Sequence, residues 1–158
     1  MEEKIDKFIR WGDDAFNKRK YKLAKKHYFS ALEENPKDYS ALVGFGITCF
    51  KLGDVDTSIN FLETARQIYP TDTIILNNLG WAYSGRGEKF KGLRHLVSAF
   101  ERNSDNLEIK VHLGHSCLDA GEEVLLEVLK ERYGKIPEEY SKFFDSLKEL
   151  RDKITKGK

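Results

Sequence analysis

The sequence predicts an all-α chain of helix pairs stacked side by side as a solenoid, and three observations carry that expectation. Glycines fall at 12, 46, 80 and 114, a period of 34 residues kept without a break. Other columns share the phase: Gly53, Gly87 and Gly121; Ala31, Ala65 and Ala99; Pro36 and Pro70; and the small residues Ala24, Ser58 and Gly92. Within each period, apolar residues recur at helical spacing on both sides of a central break. A period of this length means that each unit buries its apolar face only by stacking on its neighbours.

The elements follow in order. The first unit, about residues 5–38, carries Gly12 in its leading helix, Ala24 and Ala31 in its second, and Pro36 at its end. The second, about 39–72, is the most regular. Leu42, Phe45, Cys49 and Leu52 form one stripe, Lys51-Leu52-Gly53-Asp54 interrupts it, and Val55, Ile59, Leu62 and Ala65 form the next, closed by Tyr69-Pro70. Asp38 and Asp72 stand where N-caps belong. The third unit, about 73–106, keeps the same columns. The fourth, about 107–134, retains Leu113-Gly114 and Gly121 but puts Leu126 and Tyr133 in the small-residue columns, so its second helix is expected to pack differently. Pro137 opens a last helix, about 138–155, whose stripe is Tyr140, Phe143, Phe144, Leu147, Leu150 and Ile154. A solenoid end needs a cover, and this helix reads as that cap. Because 140, 147 and 154 lie seven apart, a dimer seam is the alternative. No Gly/Ser or Pro-rich linker interrupts the chain, so 1–158 reads as one domain.

Composition narrows the function. Lys and Arg number 27 against 26 Asp and Glu, so no overall field selects nucleic acid or an anionic membrane. The opening Met1-Glu2-Glu3-Lys4-Ile5-Asp6 is acidic and lacks the features of an export signal, and no apolar run reaches the length of a membrane span. The expected location is the cytoplasm. Cys49 and Cys117 occupy one repeat position two units apart, beyond disulfide reach, and read as buried structural thiols. No phosphate-cradling loop, serine elbow or carboxylate pair appears, and Gly85-Arg86-Gly87 reads as a helix turn. The chain is therefore expected not to be an enzyme and to need no cofactor.

These residues resemble the tetratricopeptide repeat (TPR) family, with its W-x2-L-G-x2-Y...A-x3-F...P pattern. Leu76, Leu79-Gly80, Tyr83 and Ala99 match in the third unit, and Phe8, Gly12, Ala24, Tyr28, Ala31 and Pro36 in the first. The resemblance covers residues 5–106 well. It implies a right-handed superhelix of about four antiparallel helix pairs plus the capping helix. It also implies a scaffold or adaptor whose concave groove, lined by the leading helices, binds a partner peptide or amphipathic helix.

On that resemblance the groove positions are Ile9, Arg10, Asp13 and Asn17; Ser40, Val43, Ile47 and Phe50; Ile74, Asn77, Asn78, Trp81 and Ser84; and Glu108, Val111, His112 and His115. Its centre is apolar, and Trp81 is the residue type that most often anchors a partner. Asn77 and Asn78 read as groups for a peptide backbone, or as solvated groove residues. Arg10 and Asp13 are spaced to pair with each other. One branch of the family grips the C-terminal carboxylate of heat-shock chaperones with Lys, Asn and Arg. Here those positions hold Ile9, Asp13, Gly44, Ile74 and Asn78, so that peptide class is not expected to bind. Glu108, His112, His115 and Asp119 form the only metal-like stripe, and they fall short of a zinc motif, so no metal is expected. Their plainer role is a polar, pH-responsive end to the groove. A basic run from Lys18 to Lys26 reads as a solvated outer face, with RNA or an acidic partner as its rival. Self-association through the last helix, and a metal-dependent sensor or enzyme, are the remaining alternatives to the adaptor.

Overall fold

Capping side chains set where the helices begin. Asp38, Asp72 and Asn106 each accept the backbone N–H three residues on, from Ala41 at 2.9 Å, Ile75 at 2.9 Å and Ile109 at 3.1 Å. Asp54 does the same more loosely from Thr57, at 3.4 Å. The computed structural model describes the backbone of residues 2–156, and their side chains except 139, 144, 150, 151 and 153–156. Among the described residues it holds nine helices and no strand: α1 (Glu2–Asn17), α2 (Tyr21–Glu34), α3 (Tyr39–Lys51), α4 (Val55–Ile68), α5 (Thr73–Gly85), α6 (Lys89–Arg102), α7 (Leu107–Ala120), α8 (Glu122–Tyr133) and α9 (Glu138–Lys156). None of them is long and apolar enough to cross a membrane.

Each leading helix packs on its own second helix, each second helix on the next leading one, and the leading helices also touch in sequence. The result is a right-handed solenoid of about four antiparallel pairs closed by α9. The turn within each pair uses a left-handed residue, Gly53 at φ 82°, Gly87 at 91° and Gly121 at 89°. In the first unit the same column holds Arg19, at φ 55°. A side chain there is strained, so Arg19→Gly should stabilise the chain by about 1 kcal/mol. Thermal or urea unfolding reads that directly, and a loss of stability would refute it.

The glycine column works as a row of notches. A Cβ on Gly46 would lie 2.8 Å from Leu62 Cγ, one on Gly80 2.5 Å from Leu96 Cγ, and one on Gly12 2.6 Å from Tyr28 Cε1. In each case the filler comes sixteen residues later, from the second helix of the same unit. In the fourth unit that position is Lys130, which is exposed, and a lysine cannot enter the core without a partner. Leu147 and Phe143 of α9 fill the Gly114 notch instead. The backbone of α8 meanwhile approaches that of α6, an approach that α2 and α4, or α4 and α6, do not make.

The first half of α9 is therefore built into its own chain. Tyr140 is 1 % exposed, its ring 5.6 Å from Phe100 and 6.1 Å from Tyr133, and Phe143 lies 5.9 Å from Phe100. Each such aromatic burial is worth roughly 1.5–3 kcal/mol. The side chains of Phe144, Leu150 and Ile154, expected on the same stripe, lie outside the described residues.

Candidate functional site

A helix face repeats every three to four residues, so one stripe of each leading helix points away from its partner. On α3 that stripe is Ser40, Gly44, Ile47 and Lys51, on α5 Ile74, Asn78 and Trp81, and on α7 Glu108 and His112. Together with Asp13 and Phe16 of α1, and with Tyr28, Tyr39, Val43 and Phe50, they line a trough of about 450 Å³. On the far side of Trp81 and Phe50 lies a smaller hollow of about 190 Å³, which holds Ser84, His115 and Ser116.

Several expected groove residues sit elsewhere, and Val43, though it lines the trough, is almost wholly covered. The column 9, 43, 77 and 111 lies one position off the stripe, toward the adjacent leading helix. Val43 is 7 % and Asn77 3 % exposed, because α5 and α7 respectively pack over them. Val111, with no further leading helix beside it, is 46 % exposed. Asn77 is thus not a group for a peptide backbone; its Oδ1 lies 3.0 Å from His112 Nδ1. Asn78 does line the trough, while its amide donates to the Ile74 carbonyl at 2.8 Å. Ile9, Arg10 and Asn17 do not line it, and His115 belongs to the smaller hollow.

Sequence reasoning passed over Phe16, Tyr28, Tyr39 and Lys51. The signal for Tyr28 was present: its ring is clasped between Gly12 and Gly44, either of whose Cβ atoms would come within 2.6 Å of it. Its hydroxyl donates to Asp13 at 2.6 Å, so Asp13 serves the fold rather than pairing with Arg10. Burial, reinforced by that carboxylate, pushes the Tyr28 phenol well above its ordinary range. Tyr39 donates to Asp72 at 3.2 Å and is pushed up to about 12, again chiefly by burial.

Two histidines of α7 hold Trp81. The His112 ring stacks on it at 4.5 Å with an interplanar angle of 10°, and His115 meets it edge-on at 6.0 Å. Burial holds the His112 imidazole below its ordinary pKa against the opposing pull of Glu108. Trp81 lines the trough together with Ile74, which is 52 % exposed. The trough therefore offers apolar surface, an aromatic anchor, the carboxylates Asp13 and Glu108 and the ammonium of Lys51.

Other candidates disperse. Glu108, His112 and His115 do not converge, and among the described residues no three His, Cys, Asp or Glu side chains could hold a metal ion. Cys49 and Cys117 are free and buried, and burial pushes the Cys117 thiol up to about 12. Of the basic run, Lys18 pairs with Asp14 at 2.8 Å and Lys25 with Asp54 at 3.1 Å.

No family model matches the chain. Protein CTR9 homolog of Arabidopsis thaliana is 25 % identical over 164 residues, covering 89 % of this chain and 15 % of that protein, so the chain spans a small part of the curated relative's length. Among solved structures, a MamA fragment from Desulfovibrio magneticus RS-1 superimposes with a TM-score of 0.72 at 18 % identity, covering 94 % of this chain and 76 % of that one. The first TPR of Spaghetti (RPAP3), solved bound to the HSP90 peptide SRMEEVD, gives 0.70 at 15 % identity, covering 76 % and 95 %. The chain thus repeats every 34 residues and has the fold of tetratricopeptide-repeat domains.

Proposed function

We propose that the chain is a protein-binding scaffold, without catalytic activity of its own, that seats an apolar segment of a partner polypeptide in the trough. The observation that carries this reading is Ile74. An isoleucine half open to water, in a trough that Trp81 also lines, leaves apolar surface that an incoming helix or extended peptide would cover. The neighbour RPAP3 holds an HSP90 peptide on the same fold. Transfer of that partner is not supported, because Ile9, Asp13, Gly44, Ile74 and Asn78 replace the carboxylate-gripping set, and Asp13 and Glu108 repel a carboxylate.

The choice of variant matters for the test. Val43→Glu would bury a charge and unfold the chain, whereas Ile74→Glu alters an exposed side chain. In affinity capture from the source cell followed by titration of the captured partner against Trp fluorescence, the pair Ile74→Glu and Trp81→Ala should weaken binding at least tenfold, the effect of about 1.4 kcal/mol or more. Unchanged affinity in a variant that still folds would refute the trough.

A further inference from the structure

A second cavity, of about 470 Å³, opens on the side of the second helices. Five of its lining residues are cationic: Arg66 from α4, Lys91, Arg94 and Arg102 from α6, and Arg132 from α8. One carboxylate, Glu63, shares the lining, and it is occupied, accepting from Arg66 Nε at 2.7 Å and from the Tyr83 hydroxyl at 3.0 Å. Outside the cavity Glu101 takes Arg132 with both oxygens, and Glu88 takes Lys91 at 2.5 Å. Arg94 is held only at 3.6 Å by Glu131, beyond hydrogen-bond reach, and Arg102 makes no ion pair among the described residues. Gathering these cations around one cavity costs electrostatic energy that the local carboxylates do not fully offset. The remaining wall is neutral: His95 stacks on Tyr83 at 5.5 Å and 7°.

We propose that this outer cleft binds a phosphoryl dianion. A carboxylate has two coplanar oxygens and suits one guanidinium fork, whereas a tetrahedral phosphoryl group presents three acceptor oxygens in different directions. It can therefore bridge the unspent donors of Arg94 and Arg102 and the terminal nitrogens of Arg66, which reach the cavity from two helices. The free ion and a phosphorylated side chain of another protein share that chemistry. The cleft is separate from the trough, so this inference stands independently of the function proposed above.

Titration of the isotopically labelled chain by NMR, at constant ionic strength, tests it with inorganic phosphate, N-acetyl-phosphoserine amide and N-acetylserine amide. The phosphate-bearing probes should saturate, with shifts centred on Arg94, Arg102, His95 and Ser98, and N-acetylserine amide should produce none. Equal affinity for the two phosphates assigns the free ion as the ligand, and tighter binding of the phosphoserine probe assigns a phosphorylated side chain. The variant Arg94→Gln, Arg102→Gln alters two exposed side chains and should weaken binding tenfold or more, while Trp81→Ala should leave it unchanged. Non-saturating shifts, a response centred on Lys18 to Lys26, or wild-type affinity in the double variant would overturn the assignment.

Discussion

Gly92→Ala is expected to lower the stability of the chain by about 2 kcal/mol, even though alanine is the better helix former by roughly 1 kcal/mol. The added methyl would stand 2.2 Å from Ser84 Oγ, 2.8 Å from the Gly80 carbonyl oxygen and 2.9 Å from the Ser84 amide nitrogen. Two of those three atoms are backbone, so rotating a side chain does not relieve the clash. Across the contact, a Cβ on Gly80 would meet the Gly92 carbonyl oxygen at 2.8 Å. The paired glycines thus let α5 and α6 touch backbone to backbone, and a methyl on either forces the helices apart. Domains of this size are stable by only about 5–15 kcal/mol, so the loss shows plainly as a lower urea midpoint. Because α5 carries Ile74 and Trp81, the displacement should also reshape the trough. A midpoint equal to or above wild type would show that the pair is less tightly apposed than described.

The second large effect is a pH dependence owed to His95. Burial pulls its imidazole down to about 4, Glu63 opposes that shift, and Arg66 and Arg94 add to it. An unfolded histidine titrates near 6.5, so between there and about 4 the unfolded chain binds the proton that the folded chain refuses. The stability from keeping His95 neutral is complete above pH 6.5 and is lost as pH falls toward 4, by about 3 kcal/mol in all. Other acid-sensitive groups contribute equally to wild type and to a His95→Phe variant. The difference between their stabilities should therefore narrow by about that amount from pH 7 to pH 4. Parallel pH profiles would mean that His95 protonates in place.

The architecture was legible because a solenoid is locally determined. Gly46 meets a residue sixteen positions on, Asp72 caps the helix that begins beside it, and Gly87 turns the chain where it stands. A repeat copies such short-range relations, so the columns display them. The trough was legible in part, for the same reason: Ile47, Ile74 and Trp81 follow from helical phase. Asn77 lies off the trough, and Val43 lines it while almost wholly buried, because one step of helical phase, about 100°, separates a face open to the trough from one covered by the neighbouring helix. Tyr28 was overlooked as a trough residue because it belongs to a second helix and enters only through the gap left by Gly12 and Gly44.

The sequence by itself determined the helix pairs, their period, their caps and turns, and the degeneracy of the fourth unit, since each depends on residues within one period of one another. Only the tertiary structure decided that α9, not α8, fills the Gly114 notch, because Lys130 belongs to water and a leucine from farther along the chain was free to take its place. It alone also gathered Arg66, Arg94, Arg102 and Arg132 around one cleft. Those residues form no run in the chain, and meet because stacking carries three second helices to a common face.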